Sequence, residues 1–138
     1  MAASTAWLAI VNPTSGRARS GRNWPQVAQA LGQRGVVVEE VLTTAPGAGR
    51  ELARRAVSDG RRHLLAVGDD GSVHDVVNGL MSVPLPPGDR VTLAPVPLGT
   101  GNDWARTLGI PRDPDGIAAT VAAGRTLEHD VGQLDFET

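Results

Sequence analysis

Cysteine is absent from this chain of 138 residues, so no disulfide, thiolate nucleophile or zinc–thiolate site can be built. Lysine is absent as well, and all 13 positive side chains are arginine. That removes the P-loop NTPases, whose phosphate site needs the lysine of G-x-x-x-x-G-K-[ST]. Aromatic residues make up only 3% of the chain, so no platform for stacking the bases of a single strand is available. Net charge is −2, and no basic field argues for nucleic acid as a partner. His63, His74 and His129 are dispersed without partners at metal-ligand spacing, so no metal held by protein side chains alone is expected. No apolar run approaches the ~20 residues of a membrane span, and no basic-then-apolar leader pattern opens the chain. A cytoplasmic protein is the default expectation.

What is present fits one soluble domain. Apolar residues account for 41% and charged residues for 20%. A chain of this size buries roughly two thirds of its unfolded surface. Apolar runs predict strands over Trp7–Val11, Val36–Leu42, His63–Val67 and Val91–Val96. Helical spacing predicts helices over Trp24–Leu31, Leu52–Val57, Val73–Leu80 and Asp103–Leu108, and another started by Pro111, Asp113 and Pro114 that runs to about Ala123. Alternating strands and helices imply a three-layer αβα, Rossmann-like domain over residues 1–125, with a mainly parallel sheet. Thr126–Leu134 reads as a last strand that leaves this pattern.

The four expected strands end in turns of small or polar residues at 12–16, 43–47, 68–72 and 98–102. In a parallel sheet these turns share one edge, the edge where open α/β sheets bind ligands. Four such turns together favour a phosphate-bearing ligand. The third turn is central: strand Leu64–Val67, then Gly68-Asp69-Asp70-Gly71-Ser72, then helix, the arrangement that offers a helix N-terminus to an anion. Asp70 or Ser72 is expected to cap that helix. Gly71 and Gly79 also fit simple turn and cap geometry. Arg17, Arg19 and Arg22 fall in an expected polar loop, Arg17–Asn23, either a solvated surface or a phosphate-facing loop. His74 falls in the first helical turn, open to ligand or to solvent. Ser15 forms no nucleophile elbow.

Three segments together resemble a known family: Asn12-Pro13-Thr14-Ser15-Gly16; Gly68-Asp69-Asp70-Gly71-Ser72 with Asp75 and Asn78-Gly79; and Pro97-Leu98-Gly99-Thr100-Gly101-Asn102-Asp103-Trp104-Ala105-Arg106. They are similar to the motifs of the diacylglycerol kinase catalytic domain, whose superfamily includes sphingosine kinases and bacterial lipid kinases. The central motif alone is shared with NAD kinases and phosphofructokinases. The P-L-G-T-G-N-D run points to lipid kinases. The resemblance implies transfer of the ATP γ-phosphoryl group to a lipid hydroxyl, with Mg²⁺. It implies nucleotide binding by Asn12, Pro13, Thr14, Ser15, Gly16, Thr43, Gly68, Asp69, Asp70, Gly71, Ser72, Val73, His74 and Thr100. Asp70 is the catalytic candidate within this chain. The implied partners are a nucleotide and a lipid at a membrane surface, met peripherally at its inner face.

Two departures from the family pattern stand out. Asp69 replaces the motif's second glycine, and at ~4 Å a carboxylate repels a phosphate by about 4 kcal/mol per unit charge at an effective dielectric of about 20. The family also has a second, β-rich domain carrying catalytic and metal-binding acids, and residues 126–138 read as its truncated start. The fragment alone is therefore expected to be inactive, and an unpaired strand at Val131–Phe136 would invite a homodimer. The alternatives are a non-catalytic nucleotide-binding or regulatory module derived from such a kinase and, against the P-L-G-T-G-N-D run, an NAD kinase-type enzyme.

Overall fold

The computed structural model describes residues 6–98 and 102–126. Its strands are β1 (Trp7–Val11), β2 (Val38–Leu42), β3 (His63–Gly68) and β4 (Thr92–Pro97). Its helices are α1 (Ser15–Gln33), α2 (Ala48–Ser58), α3 (Asp70–Met81), α4 (Asp103–Thr107) and α5 (Pro114–Ala123). All strand pairs are parallel, in the order β2-β1-β3-β4. Apart from Thr126 itself, the expected strand over Thr126–Leu134, the second-domain start and the edge at Val131–Phe136 lie outside the described residues.

Register decides which side chains meet. Ala9 pairs with Leu65 and Val11 with Val67, while Ile10 pairs with Ala66. Because strand side chains alternate between faces, Ala9, Val11, Leu65 and Val67 meet Val27 and Leu31 of α1 and Ile117 and Ala118 of α5. Ile10, Leu64 and Ala66 face the other way, onto Ala53 and Val57 of α2 and Val73 and Val76 of α3. Helices thus cover both faces, which is why Leu64–Val67 is an unbroken apolar run, fully buried throughout.

The winding also places the site. β1 leads through α1 on one face to β2, and β3 leads through α3 on the other face to β4. The C-terminal ends of β1 and β3 therefore flank a topological switch point, where such sheets open a crevice. β4 is the sheet edge among the described residues. The Thr92 N–H donates to the Arg62 carbonyl at 2.8 Å, so by alternation the nitrogens of Pro95 and Pro97 face outward, where no ladder donor is needed.

The structure corrects several boundaries. Val36 and Val37 precede β2 rather than belonging to it. The larger correction is the expected loop over Arg17–Asn23, which lies within α1. Gly16, Arg17 and Ala18 are left-handed, with φ of 60, 58 and 67°, and form a tight turn before the right-handed helix. Apolar periodicity misses this helical stretch because it packs through small residues. Ser20 is fully buried, and a Cβ at Gly21 would lie 2.8 Å from the Pro13 carbonyl oxygen. α5 follows its sequence signals, with the Asp113 carboxylate accepting the Gly116 N–H at 2.8 Å and Gly124 closing the helix at φ 68°.

One ion-pair cluster has a testable pH signature. Arg54 donates to Glu51 through Nε (2.9 Å) and Nη2 (2.5 Å), and Arg55 Nε adds a third bond at 3.2 Å. The Arg54 hydrogen bonds, with the charges of both arginines, pull the Glu51 carboxyl from 4.5 down to about 2. A carboxylate whose folded pKa lies below its unfolded value stabilises the fold above the unfolded pKa, and this contribution is lost as pH falls through the folded one. Glu51→Gln should therefore melt slightly below the wild type at pH 7, with the gap closing between about pH 4.5 and about 2. The cluster is half exposed, so the gap should be small and should shrink in added salt. A gap that stays constant across that pH range would show that the cluster contributes nothing.

Candidate active site

Among the described residues the buried polar side chains are Ser15, Ser20, Ser72 and Asn102, and all lie at or beside the C-terminal edge of the sheet. Buried polar groups are tolerated only when hydrogen-bonded, and here hydroxyls and amides link the first and third turns. The Asn12 N–H donates to the Val67 carbonyl at 3.0 Å, pinning the end of β1 to β3. Asn12 Nδ2 donates to Ser72 Oγ at 3.1 Å, across 60 residues of sequence. Thr14 Oγ1 donates to Asn12 Oδ1 at 3.1 Å. Ser15 Oγ donates to the Asn12 carbonyl at 3.0 Å, which leaves Ser20 as the donor in the 2.5 Å contact between Ser20 and Ser15.

At the third turn the chain passes from β3 into α3 in very few residues. Asp69 is extended (φ −99°, ψ −172°) and is the N-cap. Its Oδ1 accepts the Ser72 N–H at 3.0 Å and the Ser72 hydroxyl at 3.1 Å. The cap expected from Asp70 or Ser72 is thus supplied one residue earlier, because α3 starts at Asp70 and not at Val73. Asp70 instead reaches the fourth turn, where its Oδ2 accepts the Asp103 N–H at 3.1 Å.

The turns after β1, β2 and β3 enclose a cleft of about 560 Å³, of the size that small-molecule sites occupy. Of the residues expected at a nucleotide site, Asn12, Thr14, Thr43, Asp69, Gly71, Ser72 and His74 line it. Pro13, Ser15, Gly16, Gly68 and Asp70 support it from the adjoining turns and do not line it. Val73 does not line it, and its side chain is buried among residues of α2, α3 and the sheet. Thr100 lies outside the described residues. The cleft also takes Thr44, Ala45, Pro46, Gly47, Gly49 and Asp75, most of which come from the turn after β2. That turn is visible in the sequence as a strand end, yet Thr43 is its only residue expected at the nucleotide site. His74 and Asp75 reach the cleft from the first two turns of α3.

The cleft is neutral to acidic. Two carboxylates, Asp69 and Asp75, line it and no arginine does. Thr43, Thr44, Asn12 and His74 supply neutral donors and acceptors. Arg17, Arg19 and Arg22 stay outside it along the start of α1, at the same end of the sheet. Among the described residues no three His, Asp or Glu side chains gather to hold a metal, and no helix is long and apolar enough to cross a membrane.

Comparisons with known proteins agree with this layout. The family profile described as the diacylglycerol kinase catalytic domain matches residues 6–134. A diacylglycerol kinase of Bacillus subtilis is 39% identical over 127 residues, covering 91% of this chain and 41% of that protein. One from Staphylococcus aureus is 32% identical over 126 residues, covering 91% and 39% respectively. A solved diacylglycerol kinase structure from Bacillus anthracis superposes with a TM-score of 0.73 at 27% identity, over 88% of this chain and 43% of that one. The chain thus spans about two fifths of the length of the relatives it matches.

Proposed function

The chain belongs to the diacylglycerol kinase catalytic domain family, and we propose that it provides the nucleotide half of an ATP-dependent lipid kinase. The reaction is transfer of the γ-phosphoryl group to a lipid hydroxyl of the diacylglycerol kind. The observation that carries this reading is the cleft at the β1–β3 switch point, walled by the turns after β1, β2 and β3. Phosphoryl transfer demands little covalent chemistry from a protein and much positioning. The Asn12–Ser72 bond fixes two of the walls relative to each other, and Thr43, Thr44 and His74 offer polar groups for orienting a nucleotide. Asp70, held by the Asp103 N–H, is the candidate carboxylate at the junction of the third and fourth turns.

Mg²⁺ fits this chemistry as a companion of ATP: Asp69 and Asp75 are hard oxygen donors facing the cleft, too few by themselves to hold the ion. When bound, the ion neutralises phosphate charge. The lipid is met at a membrane surface, peripherally, from the cytoplasmic side. A second reading, a nucleotide-binding module without transfer, is favoured by one observation: the Asp69 carboxylate already occupies the start of α3.

Calorimetric titration of Mg-ATP tests the nucleotide step. Binding in the micromolar to low-millimolar range is expected. Thr43→Val, which keeps shape and removes one hydroxyl, should weaken it about 5–10-fold with an unchanged melting curve, the equivalent of one hydrogen bond. No binding of Mg-ATP, or no effect of Thr43→Val, would sink the assignment of this cleft. Transfer of labelled γ-phosphate to diacylglycerol in mixed micelles separates kinase from binding module.

A further inference from the structure

The start of α3 has two claimants. A helix N-terminus offers its first N–H groups to an anion, and here Asp69 Oδ1 takes both the N–H and the hydroxyl of Ser72. The Asn12 amide donates to Ser72 Oγ and so is directed at the protein rather than at a ligand. Asp69 lines the cleft itself, and no arginine among the lining residues offsets its charge.

We propose that Asp69 is an internal anion that competes with a ligand's phosphate for the donors of α3, and so sets the specificity of the cleft. This rests on the nucleotide reading above. A phosphate gains the Ser72 N–H only when Asp69 leaves its cap, and until then it meets a carboxylate of like charge. The cleft therefore binds the uncharged nucleoside part of its ligand at full strength and the phosphates at a penalty. Asp69 adjusts the balance between them.

The test compares wild type, Asp69→Asn and Asp69→Gly by calorimetry with two probes, ADP in the presence of a chelator and adenosine. Asparagine caps a helix about as well as aspartate, so Asp69→Asn keeps the fold and removes only the charge; its Tm should stay within about 2 °C of wild type. Loss of a like charge a few ångströms from a phosphate should tighten ADP about tenfold or more in both variants, with adenosine unchanged. Equal ADP affinity in all three proteins overturns the competition and leaves the nucleotide reading intact. A parallel gain for ADP and adenosine also overturns it, since the effect is then steric. Failure of both probes to bind any of the three proteins overturns the nucleotide reading, and the competition with it.

Discussion

Gly79→Ala is expected to lower Tm by about 10 °C, equivalent to about 3 kcal/mol for a domain of this size, the upper end of the usual cost of overpacking. Gly79 lies inside α3, where α2 passes close. A Cβ there would run into the carbonyl oxygen of Arg50 and come within 2.8 Å of the Ala53 Cβ. Backbone cannot move aside as a flexible side-chain tip can, so the two helices must separate. The seam they share is built of small residues. Ala53 is fully buried, and a Cβ on Gly49 would stand 3.4 Å from the Asp75 Cβ. Gly49, Asp75 and Val76 also line the cleft, so parting the helices widens the site. Weaker Mg-ATP binding should accompany the lower Tm. Gly32→Ala is the control. A methyl group at Gly32 would meet nothing within 4 Å, and the residue sits exposed in α1, so the change should raise stability by about 0.4–1 kcal/mol. Thermal and urea melts of both variants check this. A Gly79→Ala protein as stable as wild type would mean that α2 and α3 do not approach so closely.

Gly68→Ala acts on the other side of the cleft. Gly68 has φ +156°, a region that side chains rarely adopt, and its Cβ would collide with Ser72 Oγ and lie 3.0 Å from Ser15 Oγ. Strain and overpacking together should cost about 3 kcal/mol. The displaced residue is Ser72, which receives Asn12 and donates to Asp69, so the bond joining the first and third turns should break. Mg-ATP affinity is expected to fall about hundredfold, the equivalent of about 3 kcal/mol lost at the site. Because both contacts run through one side chain, Ser72→Gly should restore much of the stability lost in Gly68→Ala. A double-mutant cycle in urea reads that coupling. Additive effects in the cycle would place the damage elsewhere.

These two glycines show where sequence reading succeeds and where it stops. Gly68 follows an apolar run and precedes a helix, so the need for a tight turn is local and legible. Gly79 reads locally as a turn or cap, yet it lies within the last turn of α3 and its reason is α2, which comes 26–29 residues earlier in the chain at Arg50 and Ala53. The helix over Arg19–Asn23 is hidden for a related reason: Ser20 and Gly21 pack by being small, and a search for apolar periodicity cannot register them.

Local pattern was enough for the α/β architecture, for the parallel sheet with its turns on one edge, and for the motifs that place the chain in its family. Each of these rests on periodicity, on the conformational needs of single residues, or on short runs of fixed spacing. Folding had to be seen before Asp69 rather than Asp70 could be assigned as the cap of α3, and before Asp70 could be paired with Asp103. The same holds for Val73 as a core residue and for the turn after β2 as a wall of the cleft. A polar side chain at a turn has several partners within reach, and which one it takes depends on the residue at which a helix starts. That start is fixed by how α3 packs on α2 and β3, a property of distant residues brought together by folding.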